Sequence, residues 1–384
     1  MNSECNRKFG LMTQFPYARG RSFVCKNIGD YIQAVATRQF IPIIDEYVEQ
    51  EELNTYVPDD KVPIKVVMNG WFQWRAENWP PSEYVYPLLI SMHISPLKSE
   101  QILTDEGIKF LKRFGPVGCR DTSTKKLLED KGIPAYFSAC MTLTLGEQYY
   151  VSPKNKSGAC FVDPYINIPP IIECKDGNKK LYIGRIVRSI IYYIFHLGAI
   201  NKLAKKSFFR VYSPTGFLDR NTNPLNKYYK VIQFYKTYSK KFDKAMLENA
   251  EYITHWLDVD MSGKVTNDDL LRTAEELVKK YASLSMVVTS RIHAGLPCLA
   301  VETPVVFISN EEVTNDGGNF NTPGRLGGLI NLFRVLNILD GNFFTTDEVL
   351  KKIEVVTEKT TFENKKDWMS YAKNLKKMCV EFFA

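Results

Sequence analysis

With 384 residues, 45% of them hydrophobic and 24% charged, the chain has an ordinary globular composition that excludes a disordered or fibrous protein. Its length exceeds one ordinary core and suits two domains of roughly 150–200 residues each. A formal charge of +7 is a mild basic bias that fits small anions or an anionic membrane face as readily as nucleic acid.

Eight cysteines are scattered without a C-x-x-C pair or a Cys/His spacing for zinc, the pattern of reduced core thiols in a cytoplasmic protein. Residues 1–15 contain no apolar core of a secretory signal, and no apolar run reaches the roughly 18–20 residues of a membrane span. Residues 21–26 read as a short strand. The loop Asn27, Ile28, Gly29 and Asp30 then opens an apolar-periodic helix from Tyr31 to about Phe40. Gly29 would let a ligand come close and Asp30 can cap the helix; the plainer reading is a cap alone. Residues 66–70 and 88–94 are strand-like. Between them Trp71, Trp74 and Trp79 form a candidate platform for the apolar face of a sugar, or else a plug at a domain interface. His93, ending the second run, reads first as a satisfied core histidine.

Residues 99–114 alternate like a helix, and 116–119 form a strand that ends in Arg120, Asp121, Thr122 and Ser123. Asp121 or Ser123 can cap the next helix, which Gly132 stops. Arg120 has no structural duty beyond a salt bridge to Asp121 or a neighbouring helix, and it is a candidate clamp for a carboxylate or phosphate. Residues 136–145 and 159–162 add two strands before Asp163 and Pro164 break the pattern, so the alternation predicts a mostly parallel sheet. Residues 181–206 then form an amphipathic, basic helical stretch. Its apolar side holds Ile186, Val187, Ile190, Ile191, Ile194, Leu197 and Leu203, and its cations include Arg185, Arg188, Lys202, Lys205 and Lys206. The favoured reading packs it between two domains with its charges in water; the alternative lays it on an anionic membrane.

The second half repeats the alternation, with a helix at 226–249, a strand at 252–257 carrying His255, and a helix at 267–281. Residues 286–308 hold a buried strand, the polar punctuation Ser290, Arg291, Ile292 and His293, a small-residue helix and a second buried strand. Arg291 and His293 thus fall where one strand ends and a helix begins, the place at which open α/β sheets bind ligands and helix N–H groups favour anions. The alternative is a buried ion pair for Arg291 and a capping role for His293. Residues 315–318 and 323–328 form a Gly-rich loop that offers Arg325 as a second anion contact and leads into residues 329–336. The tail, 346–384, is helical, and Trp368, Tyr371, Leu375, Met378 and Phe382 form the stripe of a closing helix that packs back on the first domain. The expected units are 1–168, a linker with the basic helix at 169–216, 217–345, and the tail.

Three segments together resemble the polysaccharide pyruvyl transferase family. They are Asn27-Ile28-Gly29-Asp30, then Gly118-Cys119-Arg120-Asp121 with Ser123 and Leu127, then Thr289-Ser290-Arg291-Ile292-His293-Ala294 before Pro304. The resemblance implies a GT-B-like α/β architecture, two Rossmann-like domains facing across a cleft. It also implies transfer of an enolpyruvyl unit from phosphoenolpyruvate onto two hydroxyls of one sugar, with a cyclic ketal and phosphate as products. A donor with a phosphate and a carboxylate needs fixed cations, for which Arg120, Arg291 and Arg325 are candidates, with Ser290 beside them. His293 suits the proton transfer and Asp30 is the candidate base. Asn27, Gly29, Trp71 and Trp74 are the candidate acceptor contacts. No metal and no cofactor besides the donor is expected. The expected acceptor is a lipid-linked oligosaccharide handled in the cytoplasm, at the inner face of the membrane, with no nucleic-acid partner. Two rival readings are a GT-B glycosyltransferase that holds a nucleotide sugar through Arg291 and His293, and a non-catalytic carbohydrate-binding protein of an assembly complex.

Overall fold

The structure is a computed structural model that describes residues 7–16, 23–72, 75–175, 178–211, 224–263, 265–310 and 324–384. Trp74, the start of the strand expected at 21–26, and residues 315–318 and 323 of the Gly-rich loop lie outside the described residues.

Short β-branched and apolar runs build two parallel sheets. In the first, Lys8–Thr13 lies between Glu46–Glu49 and Ile64–Val67, and Val85–Leu88 follows. A bridge from Met92 to Cys119 carries the pairing on to Val117–Cys119 and Ala135–Phe137. The second sheet runs Glu251–Ile253, Ala159–Val162, Met286–Thr289, Val305–Asn310 and Arg334–Leu339, all parallel, and closes with antiparallel Asn342–Phe344. Adjacent residues such as Val287 and Val288 are both fully buried, which a strand achieves only with helices on both of its faces.

Those helices form three layers. Asp105–Phe114 and Thr122–Glu129 cover the outer face of the first sheet, and Leu197–Ala204 and Pro224–Tyr238 that of the second. Between the sheets Gly29–Arg38, Asn267–Ser283, Ile292–Ala300 and Trp368–Phe383 bury Leu11 and Val67 of one sheet and Val287 and Phe307 of the other in one continuous core. The two halves therefore share apolar packing. They also share a strand pair: Phe23–Asn27 runs antiparallel to Trp256–Asp260, with Asn27 opposite Trp256. The last helix reaches the first half, where the Tyr136 hydroxyl donates to the Met378 sulfur at 3.1 Å and Phe383 meets Phe9 edge-on.

Four local expectations change. The run at 136–145 stops at Phe137 and turns into the 3-10 helix Met141–Thr144, because Ala139 takes a φ of 59° that a strand cannot hold. Residues 329–336 are a 3-10 turn, Leu329–Leu332, followed by the strand Arg334–Leu339, which pairs with Val305–Asn310. The long helix at 226–249 breaks into Pro224–Tyr238 and Lys244–Asn249, since Asp243 accepts the Met246 N–H at 3.0 Å and caps a new start. The stretch at 181–206 is two helices, Ile183–Phe195 and Leu197–Ala204, bent by 99°. Val187, Ile190, Ile191, Ile194 and Leu197 are exposed, so the first helix turns its apolar stripe to solvent instead of between domains, whereas Leu203 is buried in the core of the second sheet.

Candidate active site

Strand ends supply most of the charged residues. Arg120 follows Val117–Cys119, Asp163 follows Ala159–Val162, and Arg291 follows Met286–Thr289 by one residue. The carboxyl edge of a parallel sheet gathers such side chains because each strand releases its chain there into a loop.

Arg120 is fixed by its own N–H, which donates to Met92 O at 2.8 Å. Its side chain is among the largest fully buried ones, at 1% exposure, and Nε and Nη2 have no hydrogen-bond partner. Asp121 is not its mate. That carboxylate accepts from His93 Nδ1 at 2.5 Å and from Thr124 N at 2.8 Å, capping Thr122–Glu129. The salt-bridge alternative for Arg120 is thus overturned.

Arg291 does have a mate: Nε donates to Asp163 Oδ2 at 2.9 Å, and the guanidinium lies 4.9 Å from the Trp256 ring centre. Asp163 Oδ2 also accepts the His255 N–H at 2.9 Å, while Oδ1 has no partner. The ion-pair alternative for Arg291 is therefore realised, but the capping alternative for His293 is not. Arg291 occupies the N-cap without a side-chain bond, and His293 follows in the first turn with Nε2 unpartnered.

Arg325 arrives from the second half. Gly324, at φ 79°, lies so close to Ser123 that a Cβ would sit 2.2 Å from it, and Thr122 N donates to Gly327 O at 3.2 Å. This docking on the helix start places the Arg325 guanidinium 5.2 Å from the Trp71 ring centre, with a buried, unpartnered Nε. Among the described residues no ion pair reaches Arg120 or Arg325.

The cations feel one another. Burial first, and then Arg120 and Arg291, push Arg325 down to about 9; burial also lowers Arg120. Guanidinium groups do not give up their protons in proteins, so these shifts register uncompensated positive potential that an anion would relieve. His293 is held well below the usual imidazole range by burial, then by Arg120, Arg325, His255 and Arg291, and is neutral near pH 7. Arg291 and Asp30, with side-chain exposures of 22% and 18%, and the partly exposed Arg325 give the cluster its contact with solvent.

Several expected contacts have other duties. The Ser290 hydroxyl donates to Ile308 O at 2.7 Å and accepts from Tyr165 N at 2.8 Å, so it ties strand ends together. Asn27 Oδ1 accepts the Gly29 N–H within its own turn. Asp30 is not the cap; it pairs with Lys26 at 2.8 Å in the first turn of Gly29–Arg38. Trp71 lies beneath Arg325, and Trp79 is a core residue against Phe72 and Phe110. Beside Asp30 and Trp71 a small polar cavity is lined by Gln33, Gln50 and Asn69, and the buried Gln33 Oε1 has no partner. The sequence reading missed Asp163, although it ends a buried strand just as Cys119 and Thr289 do. Trp256 gave no signal at all.

Gly29 serves His293 directly. A Cβ on Gly29 would sit 2.9 Å from His293 Nδ1 and 3.2 Å from its Cβ. Gly29→Ala should therefore displace the imidazole, lowering turnover by about 10²-fold for a stability loss of roughly 1–3 kcal/mol. Steady-state kinetics beside urea unfolding check this; unchanged turnover would mean that the ring position is not critical.

Fold and site together define an α/β protein in which arginines from its two halves converge on one largely buried cluster. The sequence profile of the polysaccharide pyruvyl transferase family matches residues 27–312, and the chain belongs to that family. Membership indicates a pyruvyltransferase with a polysaccharide acceptor. We find no match among curated proteins or solved structures.

Proposed function

We propose that the protein transfers pyruvate from phosphoenolpyruvate to two hydroxyls of one sugar, forming a cyclic ketal and releasing phosphate. One observation carries this reading. Arg120 and Arg325 present buried guanidinium nitrogens with no partner, next to Arg291, and a donor bearing both a phosphate and a carboxylate would satisfy them through charge-assisted hydrogen bonds.

In the scheme, the donor's methylene carbon takes a proton and becomes a methyl group, leaving an oxocarbenium-like centre at C2. A sugar hydroxyl attacks C2 and loses its proton. The C2–O bond to phosphate then breaks, and a second hydroxyl closes the ring as it loses its proton. The two hydroxyl protons balance the one gained by carbon and the one carried away on hydrogen phosphate. His293 is assigned the proton transfers. Neutral among the arginines, it regains basicity when an anion cancels the surrounding positive charge, because a nearby opposite charge favours the protonated ring. Asp30 is the base for the sugar hydroxyl. The acceptor is a sugar of a polysaccharide or of its lipid-linked precursor, approaching Asp30 from its solvent-exposed side. Guanidinium groups carry the charge stabilisation, with no cofactor besides the donor.

On this reading each sheet with its outer helices is one Rossmann-like domain of a GT-B-like pair, and the arginines stand at the seam. A cytoplasmic location agrees with the buried thiols of Cys119, Cys140, Cys160, Cys298 and Cys379.

The test is incubation with phosphoenolpyruvate and a galactoside or mannoside. Phosphate release should match, mole for mole, the acceptor's mass gain for a pyruvyl ketal. Phosphate that appears only with nucleotide sugars would replace the proposal by glycosyl transfer.

A further inference from the structure

The helix Ile183–Phe195 is turned the wrong way for a helix of a water-soluble protein. Successive residues of a helix are rotated by about 100°. Ile183, Val187, Ile190, Ile191 and Ile194 therefore share one stripe, and Ser189 lies nearly opposite. Ser189 is buried, its hydroxyl donating to Arg185 O and accepting from Gln233 of the neighbouring helix Pro224–Tyr238. The apolar stripe faces out instead, with Ile183 63%, Ile194 64% and Phe195 78% exposed. Ile172 and Leu181, on the hairpin before the helix, extend the same exposed surface. Monomeric soluble proteins rarely expose so large a contiguous apolar patch without using it.

The charge around the stripe has one sign. From Asn178 to Lys206 the sequence has seven Lys and Arg and neither Asp nor Glu. Lys179, Lys180 and Arg188 are exposed, and Lys180 and Arg185 gather around the Tyr182 ring at the helix start. The acids nearby are Glu173, which accepts from the Tyr182 hydroxyl at 2.5 Å, and Glu248, 3.9 Å from Lys202. Next to the stripe a cavity of about 1020 Å³ opens, and Ile190 is part of its wall together with Ile166, Ile172, Leu181 and Tyr229. Its lining is overwhelmingly apolar and suits hydrocarbon.

We propose that this face docks on an anionic lipid bilayer, with the stripe of Ile183–Phe195 sunk among the acyl chains, the flanking cations on the lipid headgroups, and a lipid chain in the adjoining groove. The helix lies in the interface. Thirteen residues span about 20 Å, against roughly 30 Å of bilayer hydrocarbon, and the chain turns by 99° into Leu197–Ala204. No single helix among the described residues is long and apolar enough to cross a membrane. A second copy of the chain is the weaker occupant, because pairing two such faces would bring like charges together. The inference does not rest on the donor chemistry, since docking needs neither phosphoenolpyruvate nor turnover.

Sedimentation of the full-length protein with vesicles tests it. On vesicles with about one-third phosphatidylglycerol in phosphatidylcholine, the bound fraction should exceed that on phosphatidylcholine alone by about tenfold or more, and high salt should reduce it. The double variant Ile190→Glu/Ile194→Glu should lose the binding about tenfold with an unchanged circular dichroism spectrum and melting point, because both positions are exposed. Absence of binding to either vesicle overturns the proposal. So does a wild-type dimer, measured by light scattering, that ignores vesicles and that the double variant converts to monomer.

Discussion

Arg120→Met should yield a protein more stable than its parent and about 10³-fold slower in turnover. The two effects share one cause. A fully buried guanidinium whose Nε and Nη2 lack partners has lost its hydration without replacement bonds, and this destabilises the fold. Methionine fills most of the same volume without a charge, and even replacing buried ion pairs by apolar side chains of similar volume has been neutral or stabilising by about 1–4 kcal/mol. The same exchange removes donors aimed at the donor's anionic groups, where loss of one preorganised donor already costs about 10²–10³-fold. Urea unfolding and steady-state kinetics on the same preparation separate the possibilities. A structural Arg120 would show the reverse, a stability loss of roughly 3–5 kcal/mol from a broken ion pair with turnover nearly intact.

Acidification should destabilise the protein steeply between pH 6.5 and 4. His255 is pushed down to about 4, chiefly by burial, and His293 well below its usual range. Both folded values lie beneath the unfolded value of about 6.5, so below that pH the unfolded chain binds more protons and stability falls with the pH. For His255 alone the loss approaches roughly 3 kcal/mol by pH 4, and His293 adds a term of the same sign. Glu49 opposes them. Burial raises its carboxyl to about 7, so the stability it contributes is present at low pH and is lost as the pH rises from 4.5 to 7. His93, also lowered to about 4 by burial, adds to the loss, and Glu51, raised by burial, adds to the opposition; the three imidazoles outweigh the two carboxyls, leaving a net loss of about 3 kcal/mol or more, a large part of an ordinary stability of about 5–15 kcal/mol. Unfolding free energies at pH 7, 6, 5 and 4 check this. Saturating phosphate should shift the acid transition to lower pH, since an anion among the arginines lets His293 accept its proton in the folded state. Constant or rising stability on acidification would show the imidazoles to be charged in the folded protein.

Much of the candidate site was readable before any coordinates. Arg120, Arg291 and His293 stand where a strand ends, a position at which packing has no use for a guanidinium or an imidazole, and the structure brings them together with Arg325 and Asp30. Other features were hidden for definable reasons. Lys8–Thr13 and Glu46–Glu49 mix charged and apolar residues, so they lack the apolar run that marked Met286–Thr289, yet they are the first two neighbours in the first sheet. Gly29 was read as room for a ligand, whereas the room is taken by His293. Ser290 shares a loop with Arg291, and nothing local announces that its hydroxyl binds two main-chain groups.

By itself the sequence determined the parallel α/β class, the loops that carry the arginines and the family, because hydrophobic period and turn chemistry are properties of neighbouring residues. Tertiary structure alone decided which cation has a partner. Asp163 neutralises Arg291 from 128 positions away, while Arg120, beside an aspartate in the chain, has no ion-pair partner among the described residues. It also decided which side of Ile183–Phe195 meets water, since an amphipathic period fixes that two faces exist and only the neighbouring helix fixes which of them is covered.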